Sequence, residues 1–282
     1  MSTQPFHDVL VGQTPGDLAP PRLLYRRPRP WALSVATSLS VPALLGLFWY
    51  VATNSGFITP DVFAAPQDVL RDAVRLWGSG VLQMHLAVSL TRALVGLVLG
   101  GSVGIVLGLS AGLSRVAEEL IDPSVQMIRA LPFLALVPLF IVWFGIGESA
   151  KILLIATAAA KPLYLSAYGG VRNVDPKLVE AGRIFGLSPL REILEIYLPA
   201  ALPSLMVGLR LAMTLSLIAL IAVEAINSSR GLGFLMLQAQ EFFKTDTIVV
   251  CIVIYAIFGV ATDLIVRSLE AVLMPWRRVR AA

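Results

Sequence analysis

The sequence predicts an all-α membrane protein with six transmembrane helices. Three observations carry that expectation. Of the 282 residues, 57% are hydrophobic and only 14% charged, against about 25% charged in a soluble domain, and the mean hydropathy is +0.80. Apolar runs long enough to cross a bilayer recur six times, near 32–53, 88–112, 124–145, 150–170, 203–224 and 247–270. Lys and Arg fall unevenly between them: twelve lie on the tails and loops of one side, five on the other, and five within spans or at their ends. The positive-inside bias therefore places both termini in the cytoplasm of a multi-pass protein of the cell inner (plasma) membrane. The organisation expected is a cytoplasmic tail over 1–30 and a transmembrane domain over 31–282.

The tail is proline-rich and ends in Arg22, Arg26, Arg27 and Arg29. No small-residue cleavage site follows the apolar run, so it is not read as a signal peptide. No charge occurs between Arg29 and Asp61, and Trp31, Trp49 and Tyr50 suit interfacial anchoring of a first span. Pro66 opens a short helix with Val69, Leu70, Ala73, Val74 and Trp77 on one face and Asp68, Arg71, Asp72 and Arg75 on the other. Too short to span, it is expected at the outer surface, packed either on lipid or on protein. The second span carries Gly96, Gly100, Gly104, Gly108 and Gly112 at an unbroken spacing of four. One helix face is then nearly bare backbone, the arrangement that lets helices pack closely in lipid. A phosphate-binding loop does not fit, since no Lys-Ser or Lys-Thr follows and the spacing is helical.

The third span holds Arg129, Pro132 and Pro138. Two prolines leave backbone carbonyls without partners, so a bent, interior-facing helix is expected. The fourth is interrupted by Lys161-Pro162, the fifth holds Arg210 and closes on Glu224, and a short helix follows Gly231-Leu232-Gly233. In the last span Asp263 and Arg267 are four apart and can pair on one helix face.

Between the fourth and fifth spans lies the long polar stretch 172–203. Asp175-Pro176 and Ser188-Pro189 each read as an N-cap followed by a first-turn proline. Gly186 supplies a left-handed stop between the two helices, and Pro199 is expected to end the second. Within it, Glu180-Ala181-Gly182, three residues, Gly186, nine residues, then Ile196-x-Leu198-Pro199 resembles the EAA motif of ABC importer permeases. Every spacing of EAA-x3-G-x9-I-x-LP matches, with Gly182 standing where Ala is usual, a change that loosens a helix by about 1 kcal/mol. Arg-Ala-Leu-Pro, then Pro-Leu, then Trp-Phe-Gly in the third span resembles the subgroup that takes up nitrate, sulfonate, taurine and bicarbonate.

The resemblance implies a type I ABC importer (MetI-like) permease fold and a pathway for a small anion, with sulfonate or taurine favoured and nitrate or bicarbonate next. It implies a homodimer in lipid, an extracytoplasmic substrate-binding protein, and a separate ABC ATPase seated on the coupling helix within 172–199. Glu180, Ala181, Gly182, Gly186, Ile196, Leu198 and Pro199 are the coupling residues so implied.

The rest of the chain agrees with a chain that does no chemistry itself. No Walker A sequence is present, so no cofactor is expected here and ATP-Mg would sit on the partner. The lone Cys251 excludes an internal disulfide and a cysteine-ligated metal, and His7 and His85 have no neighbours at ligand spacing. The net charge of +4 follows the membrane rather than a nucleic-acid face. Ionisable groups in spans are functional candidates because an unpaired charge there is costly. Arg129 is expected near an inner gate, and Glu224 near the outer end with Ser89, Thr91 and Arg92 as pathway candidates; Lys161 and Arg210 are read as able to snorkel to the inner face. A secondary transporter driven through Asp263, Glu224 and Lys161 is the alternative, although no internal repeat supports it.

Overall fold

A computed structural model describes residues 31–59 and 62–276. The chain divides into two compact units, Met1–Val51 and Ala52–Ala282. The expected tail over 1–30 and the final basic residues from 277 onward lie outside the described residues. Helix α1 (Trp31–Asn54), of which residues 31–51 belong to the first unit, covers the expected first span and carries Pro42 inside it.

In the second unit all regular structure among the described residues is helical, and α6 (Glu148–Arg172) is its centre. On one side α6 meets α3 (Val81–Leu113), and here the glycine stripe acts. A Cβ on Gly100 would fall onto the Ala156 carbonyl, one on Gly104 onto that of Ala160, and one on Gly108 onto that of Tyr164. The helices touch backbone to backbone, as small residues at every fourth position permit. On its other side α6 meets α9 (Leu198–Asn227), where Ile155 and Ala158 pack on Ala219 and Leu220, and Ala159 and Leu163 on Ala212. Alpha-3 begins at Val81 rather than at 88, and its 33 residues extend about 50 Å, well beyond a hydrocarbon core of about 30 Å. Pro162 does not interrupt α6, which runs through it unbroken.

The third span differs most from expectation. A single helix over 124–145 does not form. Instead α4 (Arg115–Ala130) stops, Leu131 turns extended at φ −77° and ψ 127°, a 3-10 turn follows at Phe133–Leu136, and α5 (Val137–Phe144) leaves at 93° to α4. Pro132 is the cause: it excludes helical geometry from the residue before it. Pro138 falls in the first turn of α5, where a missing N–H does no harm. The helix is bent as expected, but α4 buries no residue within this chain. It is tied to α6 by polar bonds: Tyr164 Oη donates to Asp122 at 2.9 Å, Tyr168 Oη to Glu118, and Lys161 Nζ to the Leu131 carbonyl at 3.1 Å. Lys161 thus partners the break rather than reaching for an interface.

Alpha-2 (Pro66–Gly78) turns Val69 and Asp72 inward and leaves Leu70, Val74 and Trp77 exposed. Asp72 accepts from Thr247 Oγ1 at 2.7 Å and pairs with Arg75, which fastens α2 to α11 (Thr245–Leu273). Of the apolar face, Val69 is used against this chain while Leu70, Val74 and Trp77 are not. Arg210 pairs with Asp263 at 3.3 Å and Glu270 at 3.4 Å, and Asp263 in addition holds Arg267 at 2.6 Å.

Among the described residues four helices are long and apolar enough to cross a membrane, or five if the bent α4–α5 pair counts as one span. The expected count of six is not reached on that measure.

Candidate functional site

Two sites stand at opposite ends of α9. The first is the polar stretch between α6 and α9. Asp175 caps α7 (Pro176–Ile184), its carboxylate accepting from the Lys177 N–H at 2.9 Å. Gly186, at φ +78°, ends it. The Leu187 N–H reaches the Gly182 carbonyl and the Gly186 N–H that of Arg183, both at 3.0 Å, which is a Schellman stop. A short helix, α8 (Pro189–Glu192), follows, although the Ser188 side chain makes no cap bond. Pro199 does not end this helix. A π turn over Ile193–Tyr197 joins α8 directly to α9, so that Pro189–Ile226 is one continuous helical rod. The wider turn lets the Leu198 N–H bond to the Ile193 carbonyl, and Pro199 then takes a first-turn position in α9, where it needs no donor.

Gly182 has a specific reason to be small. A Cβ there would lie 2.5 Å from Ile196 Cδ1 and 2.9 Å from Leu187 Cδ1, so these two side chains occupy the space a larger residue would fill. Arg183 Nε donates to Glu192 Oε1 at 3.0 Å, and that carboxylate holds the guanidinium pKa above its ordinary value. Together these contacts set α7 rigidly against α8. Gly182 and Ile196 are therefore brought together, while Glu180 is exposed, as are Leu178, Ile184 at 84%, Phe185 at 86%, Leu190 and Leu194. Five large apolar side chains on a segment rich in charge remain uncovered by this chain, the mark of a surface that another molecule covers.

The second site gathers Ser89 and Arg92 of α3 with Glu224 of α9. Glu224 is 0% exposed. Its carboxylate accepts from Ser89 Oγ at 2.8 Å, from Arg92 at 2.9 Å and from the Gly233 N–H at 2.9 Å. Gly231 reaches φ +122°, and a Cβ there would overlap the Glu224 carboxyl; only glycine permits this approach. The first turn of α10 (Leu232–Glu241) then wraps the carboxylate, and its N-terminal N–H groups favour the negative charge. The Leu232 N–H donates to Ser89 Oγ at 2.8 Å and the Gly231 N–H to His85 Nδ1 at 2.9 Å. Arg92 continues outward: its Nε and second terminal nitrogen each meet Glu148 at 2.6 Å, and a further N–H reaches the Arg230 carbonyl at 2.7 Å. Lys151 adds a bond to Glu148 at 3.1 Å. Two cations and two carboxylates thus balance in one cluster joining α3, α6, α9 and α10, with Arg92, Lys151 and Glu224 buried and Glu148 at its exposed edge.

The remaining two candidates stand apart. Thr91 donates to the Ala87 carbonyl of its own helix at 2.8 Å and is exposed. It helps wall, with Arg92, Glu148, Ser229 and Arg230, a recess of about 500 Å³ beside the cluster. Arg129 is exposed in the last turn of α4. Sequence reasoning missed His85, Glu148, Lys151 and the Gly231–Gly233 turn. The available signal was pairing: Arg92 and Glu224 were both placed near the outer end of a span, and neither could be buried there alone.

With this geometry in hand, the comparisons are specific. The family model of the binding-protein-dependent transport system inner membrane component matches residues 104–274. A putative aliphatic sulfonates transport permease protein of Escherichia coli is 42% identical over 246 residues, covering 87% of this chain and 93% of that one. Its namesake in Bacillus subtilis is 38% identical over 239 residues, covering 85% and 87%. The taurine transport system permease protein of Escherichia coli is 37% identical over 254 residues, covering 87% and 92%.

Proposed function

Because this chain belongs to the family of binding-protein-dependent transport system inner membrane components, we propose that it forms the translocation pathway for small organosulfonate anions, alkanesulfonates or taurine, and takes its energy from a separate ATPase through residues 172–199. The chain is an ABC importer permease, a multi-pass inner-membrane protein and not an enzyme in its own right. The observation that carries the coupling reading is the uncovered apolar patch of Leu178, Ile184, Phe185, Leu190 and Leu194 around Glu180. The sulfonate reading is supported by the names of the three relatives.

The mechanism follows from the continuity of α9. ATPase closure pushes on α7, and α7 is braced against α8 by the Arg183–Glu192 pair and by Ile196 over Gly182. The π turn passes the push into α9 without a loop that could absorb it. From Leu198 to Glu224 the helix carries the displacement about 40 Å to the charged cluster, where α3, α6 and α10 must move with it. The motion selects between inward- and outward-facing arrangements, and ligands bias their populations. Both termini and the 172–199 segment lie in the cytoplasm in this reading. A second copy of the chain completes the pathway, and a binding protein delivers the anion at the Glu224 end. The ion-gradient alternative gains no support from Asp263 or Glu224, which are held in ion pairs.

Replacing Ile184 and Phe185 together by Asp leaves the internal contacts of α7 in place. Co-purification of the ATPase subunit should be lost, together with uptake of ethanesulfonate. Full recovery of the ATPase with that double variant would sink the coupling reading, and wild-type uptake of nitrate in place of ethanesulfonate would sink the sulfonate reading.

A further inference from the structure

A charge within an apolar helix has to be compensated, because neither hydrocarbon nor packed protein replaces its hydration. Among the described residues of α3, α6, α9 and α11 the basic side chains almost all meet carboxylates. Arg92 meets Glu148 and Glu224, and Lys151 meets Glu148. Arg172 meets Glu118, while Arg210 meets Asp263 and Glu270 and Arg267 meets Asp263. Lys161 is the exception. It is the fourteenth of the 25 residues of α6, about 20 Å along the helix from Glu148 and about 16 Å from Arg172. Its ammonium, half-buried and with three donors to offer, makes one bond, to the Leu131 carbonyl at 3.1 Å, and forms no ion pair with a carboxylate of the described residues.

The place of that bond matters. Leu131 is the point where Pro132 breaks α4 from α5 and the chain turns by 93°. A helix C-terminus attracts a cation, but a carbonyl dipole does not neutralise a full charge. Against the ammonium lies a cavity of about 190 Å³, walled by Gly104, Leu107, Val125, Thr157 and Tyr164 among others, with no carboxylate in its lining. Thr157 directs its hydroxyl proton to the Leu153 carbonyl, and Tyr164 directs its own to Asp122. The cavity therefore offers a bound group one positive charge set in otherwise apolar or already satisfied walls. Arg129, two residues before Leu131 and exposed, brings a second basic side chain to the same break.

We propose that Lys161 is a specificity-determining residue for the charge of the cargo: a sulfonate or similar singly charged oxyanion supplies its missing counter-charge while passing the broken helix at mid-membrane. This rests on the anion-importer reading above. The bond to Leu131 is a separate, structural duty of the same side chain. Glutamine keeps an N–H donor for that carbonyl and lacks the charge, so it separates the two roles.

The test is binding-protein-dependent uptake by the complete complex in proteoliposomes, with ethanesulfonate, nitrate and neutral dimethyl sulfone offered in turn. Lys161→Gln should lower uptake of whichever anion the wild type carries by about ten-fold or more, the loss of one charge-assisted contact, with unchanged recovery of assembled complex. Lys161→Arg should retain most of the uptake. Arg129→Gln, on an exposed side chain, should give a smaller fall of about two- to five-fold and supplies a second measurement if the Lys161 variant assembles poorly. Anion uptake at the wild-type rate in both Gln variants overturns the proposal, as does Lys161→Arg being as defective as Lys161→Gln. A wild type that carries nitrate but not ethanesulfonate overturns the sulfonate cargo alone, and Lys161→Gln then judges the residue on nitrate. A wild type that prefers dimethyl sulfone overturns both.

Discussion

The two ends of α9 are built on opposite plans. At Glu224 the carboxylate is fully buried and receives a hydroxyl, a guanidinium and a backbone N–H, while the charges around it balance. At the other end Ile184 and Phe185 are almost entirely exposed on a segment whose internal contacts are complete without them. One end buries a full charge and surrounds it with donors. The other has apolar groups where water is present and leaves them open. Saturation marks a joint that holds this chain together, and lack of saturation marks a face that waits for another molecule.

That contrast can be broken at either end. The largest effect is expected from Glu224→Ala, which removes the buried carboxylate partner of Arg92 and leaves it only the exposed Glu148, and should lower stability by about 3–5 kcal/mol. Thermal unfolding of the detergent-purified chain measures it, and a loss under 1 kcal/mol would show that the cluster is not a structural joint. Next comes Gly100→Ala, which drives a methyl onto the Ala156 carbonyl and should destabilise by about 1–3 kcal/mol in the same assay. Gly169→Ala meets nothing within 4 Å and should be neutral or stabilising by up to about 1 kcal/mol, so equal effects from the two would refute the close α3–α6 contact. At the exposed end, Ile184→Asp with Phe185→Asp should shift stability by no more than about 0.5 kcal/mol while abolishing recovery of the ATPase. The smallest change is expected from Thr91→Val. Its hydroxyl bonds only to its own helix, so stability should stay within about 0.5 kcal/mol, and a fall in uptake would mark the recess beside it as part of the pathway.

Much of this was legible from residue order. The glycines of α3 announced a close helix contact through their spacing, and Asp175, Gly186 and the Glu180–Pro199 pattern outlined the polar element. The errors are also instructive. Pro162 and Pro199 read as interruptions, yet α6 runs through the first and a π turn prepares a first-turn position for the second. Pro132 does break its helix, because there the residue before it was free to become extended. Alpha-2 showed an apolar face, but beside Val69 the fold also buries Asp72 from its other side, since Thr247 of α11 offers it a partner.

Composition, the spacing of small residues and the motif over 180–199 were enough to determine an all-α membrane permease and to single out the stretch proposed to meet a motor. These properties depend on neighbours along one helix or on the chain as a whole, so residue order encodes them directly. The Asp263–Arg267 pair within α11 was legible from its spacing, but only the tertiary structure decided which charges pair between helices. Ser89, Arg92, Glu148 and Glu224 come from three helices and meet through packing that no local pattern records. The same packing leaves Lys161 at a broken helix with a carbonyl for company and no counter-charge. Pairing is a property of distance in space, and that distance exists only once the chain has folded.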